Sequence, residues 1–566
     1  MTESIRDRKR PVRGRQKTPI GPLKGFGPPL SEHERAELKA WIDRAEPLPE
    51  RLRGTVARLF AGPEAPRLIW AGKHDPPRVL ARPLVLRERY GRGERPGAWR
   101  DLLIHGDNGA ALAALAEEPY RALIRGVGGL KLIYIDPPFA AQQDFAVTLA
   151  FGDQPGPASR VRYPAYGDCW EGQGEAYLSL MQARLRAMHG LLADDGFLFL
   201  HCDWRSHAAL RLILDEIFGR AAFINEIVWH YYNKYSHGQR CLPRSHDTIL
   251  LYAKDAARAG KLNALRLPRE RPARQLVREN VNGVLRNARD AEGRLRYREA
   301  SDRKLSDVWE IPQLQPASGH WSGFPTQKHP DLLARILALC TREGDLVADF
   351  FAGAGTLPVV AQLLGRRWIA CDAAPVAIHT ARKRLLKPPA AGPAGAAPPS
   401  FDLLDVDENE GLPLETQGLS SLAAQARLGP EGLRVSLDGF IPAPLDPPAL
   451  QHRRAARAFD VLSIERGRLV RRKAGRAGQG DSAEILTRDW SDWIDFWAVG
   501  WTPPESPRAI APQWLAMRPS KSRAGSRRLV LESPPLALPP DVSHVAVLAV
   551  DPFGRTTAIR VPVERD

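Results

Sequence analysis

The feature that most constrains this chain is a series of short, nearly continuous apolar runs that begins near residue 101. KLIYID at 131–136, GFLFLHCD at 196–203, DLVADFFAG at 345–353 and RRWIACD at 366–372 are each too short for a helix. They also lack the in–out alternation of a half-exposed strand, so they read as strands buried on both faces. Between them lie segments with helical spacing, AYLSLMQARLRAMHGLL at 176–192 and HPDLLARILALCT at 329–341. Strands alternating with helices predict a parallel α/β sheet.

The length of 566 residues exceeds what one core usually organises, and the remainder divides by composition. Residues 1–100 read as a basic arm (eight Lys/Arg and two acids in 1–24) followed by a helical extension over 31–60. The α/β pattern occupies 101–388. A Pro/Ala/Gly-rich stretch around 390–400 opens a linker over 389–430, and 431–566 reads as a β-rich accessory domain. Its last segment, 544–563, alternates apolar and polar residues around a Pro-Phe-Gly turn, which predicts a β-hairpin in a small all-β domain.

Charge is unevenly placed. The chain carries 81 Lys+Arg against 65 Asp+Glu, a net +16, and residues 258–304 alone hold 14 Lys/Arg and six acids, a net +8. Such an excess suits a polyanion, because every phosphate contact releases counterions, although biased composition produces the same balance. Five scattered cysteines with no CxxC pair fit a reducing compartment. His201, Cys202, Asp203 and His207 match no common zinc spacing, so no metal is expected. The first residues lack a signal peptide's apolar core and no apolar run reaches membrane-spanning length, so a cytoplasmic location with no membrane partner is expected.

Three stretches carry chemistry. Asp-Pro-Pro occurs at Asp75, Asp136 and Asp446, but only Asp136 follows a buried-strand run and precedes an aromatic, Phe139. The other two sit in Pro-rich stretches and read as turns. Pro137 and Pro138 stiffen the backbone and remove amide donors, leaving carbonyls as acceptors. Asp136 and the Pro137 carbonyl can then orient an amino group while Phe139 stacks on the ring that bears it; a rigid strand-ending loop is the plainer alternative. The second stretch runs from Asp349 through Phe351, Gly353 and Gly355 to Thr356, with Asp372 closing the next strand. Glycines permit close backbone approach, and an acid some twenty residues on can bind ribose hydroxyls; the third glycine of a dehydrogenase fingerprint is absent. The third is Gly106-Asp107-Asn108 after an apolar run, where either polar side chain could serve as a helix N-cap.

In this order, Gly-Asp-Asn, Asp-Pro-Pro-Phe and a late Phe-x-Gly-x-Gly, the motifs resemble the β-class DNA amino-methyltransferases, a family that includes modification subunits of restriction systems. Residues 194–219, 225–254 and FPTQKHPDLLARIL at 324–337 are similar to that family's intervening segments. The resemblance covers about 101–388. It implies a seven-stranded, Rossmann-like S-adenosylmethionine-dependent methyltransferase sheet, with Asp136, Pro137, Pro138 and Phe139 catalytic. Phe351, Gly353 and Gly355 would line the cofactor, Asp372 would hold its ribose, and Asp349 and Thr356 would sit at its methionine end. Asp107 and Thr326 are further cofactor candidates. The implied partner is double-stranded DNA, clamped by 258–304 as a target-recognition insertion, with a restriction subunit or a second copy as protein partners. Adenine N6 is the expected target because the loop begins with Asp; cytosine N4 and a non-catalytic DNA-binding subunit of a defence complex are the alternatives. Trp490, Trp493, Trp497 and Trp501, spaced by three and four, would share one helical face and pack into a core, with a partner- or DNA-stacking surface as the other reading.

Overall fold

A computed structural model describes residues 36, 68–73, 80–91, 99–153, 160–170, 174–234, 241–387, 399–406, 420–445, 461–473, 482–503, 506, 509–519 and 527–565. The basic arm, all but one residue of the helical extension, most of the Pro/Ala/Gly stretch and the turns at Asp75 and Asp446 lie outside these residues. The chain divides into two compact units, Met1–Pro76 and Pro77–Asp566. In the first, residues 68–73 form a turn in which Lys73 N donates to Trp70 O at 3.3 Å. Everything below concerns the second. No helix among the described residues is long and apolar enough to cross a membrane.

The chain enters through β1 (Leu84–Tyr90) and β2 (Asp101–His105), then α1 (Asn108–Leu115) and α2 (Tyr120–Gly126). Next come β3 (Leu130–Ile135), the hairpin β4 (Gln143–Ala150) and β5 (Arg160–Asp168), α3 (Glu175–Leu191), β6 (Leu192–Cys202) and α4 (His207–Phe218). β7 (Phe223–His230) and β8 (His246–Ala253) lead into β9 (Arg266–Leu276), β10 (Arg278–Val281), β11 (Val284–Asn287), β12 (Tyr297–Lys304) and β13 (Val308–Glu310). α5 (Pro330–Cys340), β14 (Leu346–Asp349), α6 (Thr356–Leu363), β15 (Arg367–Asp372), α7 (Pro375–Leu385) and β16 (Phe401–Val406) complete this half.

Ten of these strands form one sheet in the order β1-β16-β2-β15-β14-β3-β6-β8-β7-β13. From β16 to β6 neighbouring strands are parallel, as the apolar runs predicted; β1 and β8 run antiparallel to their neighbours. The sheet is therefore larger than the seven strands implied by resemblance. One reason lies at its edge. Residues 401–406, expected in a linker, pair with β2, and β1, from the first 100 residues expected to lie outside the sheet, pairs with β16 from Leu84↔Val406 to Tyr90↔Phe401. Arg89 and Arg100 meet Asp402 across that seam, so the edge of the parallel sheet is closed rather than exposed.

The basic stretch 258–304 folds into two hairpin pairings, β9 with β12 and β10 with β11, whose side chains are mostly exposed. The C-terminal strands begin at residue 421, earlier than the expected boundary of 431. β17 (Ser421–Gly429), β18 (Gly432–Ile441), β22 (Phe496–Trp501), β23 (Ala511–Met517), β24 (His544–Val550) and β25 (Thr556–Arg565) form a six-stranded sheet; β19 (Val461–Glu465), β20 (Arg468–Lys473) and β21 (Ser482–Ile485) form a smaller one. The Pro-Phe-Gly hairpin is β24–β25. The tryptophans do not share a helix: Trp490–Trp493 is a 3-10 turn and Trp497 and Trp501 lie in β22. Trp493 and Trp497 are fully buried, so packing is their role. β22 and β24 are covered on both faces, with Phe496, Ala498 and Leu548 in the core shared with the ten-stranded sheet and Trp497, Val499 and Val547 in the other. Burial on both faces erases the alternation that would have marked β22 as a strand.

Candidate active site

The chemistry-bearing motifs finish adjacent parallel strands at one edge of the sheet. β2 passes into Gly106, Asp107 and Asn108, β3 into Asp136–Phe139, β14 ends at Asp349 and β15 at Asp372. β3 and β14 are neighbours, yet the chain continues from β3 toward β6 and from β14 toward β15. That reversal opens a crevice at the strands' carboxyl ends, where ligands bind in α/β sheets.

The crevice holds a cavity of about 270 Å³, lined by Asp107, Thr326, Asp349, Phe351, Gly353, Thr356 and Asp372, seven of the eight predicted cofactor residues. Asp107 caps α1 through Ala110 N at 2.9 Å and pairs with Arg184 at 2.7 Å, so it both starts a helix and borders the cavity. Asn108 donates to Phe350 O at 2.8 Å and so ties that helix to the glycine loop. Asp349 accepts from Phe351 N at 3.0 Å, and Asp372 accepts from Gly353 N at 2.8 Å and Ala374 N at 2.9 Å. Burial pushes both carboxyls above the ordinary range, Asp349 well above, and its neighbours Asp136 and Asp372 add like charge. Thr356 accepts from Arg384 at 3.1 Å, and Thr326, at φ +57°, shares a hydrogen bond with Tyr166 at 2.9 Å.

Gly355 departs from the expectation. It does not line the cavity. A Cβ placed there would stand 2.6 Å from Ala381 Cβ, so this glycine, at φ +69°, lets α6 pack against α7. Gly353, at φ +49°, is the glycine that faces the cavity, where an added Cβ would meet the Phe324 ring at 3.3 Å.

Asp136 and Pro138 also border a second cavity, of about 420 Å³, whose wall includes Pro137, Phe139, Trp229, Tyr231 and Asp247. All four predicted catalytic residues therefore meet here, and Asp136 stands between the two cavities. Its Oδ2 pairs with Lys328 Nζ, while its Oδ1 is buried without a hydrogen-bond partner. His201 lies 3.7 Å from Oδ1 and is engaged with Tyr134 OH at 3.0 Å and Asp247 at 3.4 Å. Asp247 is buried, which pushes its carboxyl up, but the hydrogen bond and charge of His201 outweigh this and hold it low.

Sequence reasoning did not single out Lys328, Tyr166 or Asp168. Lys328 was visible only as part of the Phe-Pro-Thr-Gln-Lys segment, and Tyr166 borders both cavities from β5. Asp168 closes the same strand. Its carboxylate accepts backbone N–H groups from Phe139 at 3.1 Å, Ala140 at 2.9 Å and Ala141 at 2.8 Å, and the Trp170 indole at 2.8 Å. Ala140 and Gln142 have φ of +58° and +55°, so this carboxylate holds a left-handed turn directly after the Asp-Pro-Pro-Phe loop. No local motif announces an acid 29 residues downstream of its partner.

Residues 130–383 match the family model described as DNA methylase. Over this segment, a little under half of its length, the chain is similar to the DNA amino-methyltransferases. The matched span takes in the Asp136 loop, the β4–β5 hairpin, the basic stretch and the glycine loop, and leaves the C-terminal strands outside. Among curated relatives, the Type II methyltransferase M.EcaI of Enterobacter cloacae is 29% identical over 335 residues, covering 50% of this chain and 68% of that protein. The Type III restriction-modification enzyme StyLTI Mod subunit of Salmonella typhimurium is 27% identical over 296 residues, covering 40% of this chain and 45% of that subunit. The chain thus spans about two thirds of the first relative and less than half of the second. A solved structure titled as an M1.HpyAVI–SAM complex is 17% identical with a TM-score of 0.30, over 50% of this chain and 98% of that one.

The first cavity suits the donor that an amino-methyltransferase uses. Its ionisable lining is Asp107, Asp136, Asp349 and Asp372 against Lys328 alone, and a ligand bearing a sulfonium and an ammonium would favour the ionised form of Asp349 and Asp372. Phe351, Leu357 and Phe324 supply apolar wall for a base, and Asp372 retains lone pairs for hydroxyl groups.

Proposed function

We propose that this S-adenosylmethionine-dependent DNA methylase acts on the exocyclic N6 of adenine in double-stranded DNA. One observation carries the reading: Asp136, at the topological switch point, borders both cavities and keeps a buried Oδ1 without a hydrogen-bond partner. Asp in that position, rather than Ser, is the reason for choosing adenine over cytosine.

When bound, S-adenosylmethionine supplies an electrophilic methyl group on a cationic sulfur. Asp107, Asp349, Gly353 and Asp372 would hold it, and Phe351 would offer apolar wall. The flipped target enters beside Phe139, which stacks on its ring. Its amino group provides the hydrogen bond that Asp136 Oδ1 lacks and gives a second to the Pro137 carbonyl. These acceptors turn the nitrogen lone pair toward the donor cavity, so the rate is gained through alignment and through the carboxylate's interaction with charge growing on nitrogen. The proton released from that nitrogen passes to Asp136 Oδ1. Lys328, paired with Oδ2, balances the loop's charge while the base is absent.

DNA is held by the exposed arginines of the two basic hairpins, among them Arg269, Arg274, Arg286 and Arg298, through phosphate contacts. One relative is by name the Mod subunit of a restriction-modification enzyme, and a restriction subunit is the protein partner proposed here. Incubation with labelled donor and unmethylated genomic DNA, followed by nucleoside analysis, tests the reading. N6-methyladenine is the expected product. N4-methylcytosine would move the target base, and DNA binding without transfer would favour a non-catalytic subunit.

A further inference from the structure

The β4–β5 hairpin touches the catalytic loop at one end and the C-terminal strands at the other. At its base, Asp168 holds the backbone of Phe139, Ala140 and Ala141, and Tyr166 holds Thr326 at the donor cavity. At its far end, Asp153 pairs with Arg518, a side chain with no solvent exposure whose other donors reach Ile494 O at 3.0 Å, Arg527 O at 3.1 Å and Ser491 O at 2.6 Å. Asp153 is thus the carboxylate among the described residues that meets this buried guanidinium, while Arg527 N donates to Asp153 O at 2.9 Å. Phe151 packs on Trp493 and Phe553 with ring centroids 5.9 and 5.4 Å apart.

A two-stranded hairpin is marginal by itself and takes its rigidity from what it packs against. Here Val147, Leu149, Phe151 and Val161 share one apolar core with the C-terminal strands, and Phe324 and Ala354, which line the donor cavity, belong to the same core. The buried Trp493 and Trp497 are consumed in this packing and leave no stacking surface for a nucleic acid.

We infer that the C-terminal domain is the anchor of the catalytic loop: it clamps the tip of the β4–β5 hairpin through Asp153–Arg518 and Phe151, and the hairpin's other end fixes Phe139–Ala141 through Asp168. Asp153 and Phe151 are positioning residues, acting through the hairpin and touching neither donor nor base. The inference rests on the reading of Asp136–Phe139 as the catalytic loop. It assigns the domain outside the family match a part in the reaction rather than in recruitment alone.

The test uses the full chain with Asp153→Asn, Asp153→Glu and Phe151→Leu. Backbone amide exchange at residues 139–141 is expected to quicken about tenfold in Asp153→Asn and Phe151→Leu, because local opening at the tip reaches the base. Methylation kcat falls about tenfold in both while KM for DNA and donor stays within about twofold, since alignment and not binding is lost. Asp153→Glu keeps the charge on Arg518 and restores most of kcat. If exchange at 139–141 remains at the wild-type rate in variants whose tip amides have loosened, the inference is overturned. A kcat that falls only together with the folded fraction overturns it as well. Should the wild-type chain fail to methylate DNA, the functional reading fails, but the exchange measurement still decides whether the clamp reaches the loop.

Discussion

Asp168→Ala removes the carboxylate that holds the turn after the Asp136–Phe139 loop, and the structure says what it should cost. The carboxylate is buried and accepts three consecutive loop N–H groups plus the Trp170 indole. Hydrogen bonds to a charged acceptor contribute about 1.5–3 kcal/mol each, and water recovers much of that once the loop is free. The left-handed backbone at Ala140 and Gln142 disfavours the loop's present shape by about 1–2 kcal/mol per residue. With three anchors lost, the loop's equilibrium should shift away from the aligned shape by about 3 kcal/mol, which is about a hundredfold in the rate of transfer. Asp168→Asn keeps one acceptor oxygen, so its loss should be intermediate. The assay is single-turnover transfer of labelled methyl to saturating DNA, with donor affinity measured separately by calorimetry. Donor affinity should change little, because Phe139 and Ala141, which Asp168 holds, border the second cavity and not the first. A folded Asp168→Ala protein that transfers within about threefold of wild type would refute the argument, since that leaves under 1 kcal/mol for the whole set of bonds.

Two other predictions concern stability. Burial raises the Asp101 carboxyl to about 7, although its Oδ1 accepts from Trp368 N at 2.8 Å and Trp99 Nε1 at 3.0 Å. A group whose pKa is raised by folding stabilises the fold below its unfolded value of 3.8, and that contribution is lost as pH rises through about 7. Asp101→Asn can keep both bonds on its carbonyl oxygen without the charge; urea unfolding should show it more stable than wild type by about 4 kcal/mol at pH 8 and nearly equal at pH 4. An offset that is the same at both pH values would contradict this. Gly355→Ala should destabilise by about 3 kcal/mol, combining left-handed strain with overpacking against Ala381. Gly353→Ala should instead weaken donor binding more than stability; equal effects of the two substitutions on donor affinity would show that both glycines face the cavity.

The readable part of the fold was the part whose burial is expressed locally. Strands β3, β6, β14 and β15 are covered on both sides by neighbours, so their apolar runs stand out, and the motifs at their ends inherit a known place on the sheet. β1 and β16 were missed because their pairing joins residues more than 300 positions apart and their flanks are rich in Pro and Gly. The tryptophan spacing of three and four suggested a helix, but β22 is covered on both faces and carries no periodicity to contradict it. At the site, the expected catalytic and cofactor residues line at least one of the two cavities, except Gly355, because a glycine for a ligand and a glycine for helix packing look alike in a sequence. Asp168, Lys328 and Asp153 act across a hairpin or between distant segments, and nothing beside them in the chain marks the partner they meet.

The central claim is that Asp136 aligns an adenine amino group for methyl transfer. Its most direct test is labelled-donor transfer to DNA by wild type and Asp136→Ala, with nucleoside analysis and donor and DNA affinities measured on both proteins. Wild type should yield N6-methyladenine, and Asp136→Ala should transfer about 10³-fold more slowly, or slower still, with both ligands still bound. A variant that methylates at the wild-type rate, or that loses activity only because it no longer binds donor, would contradict it.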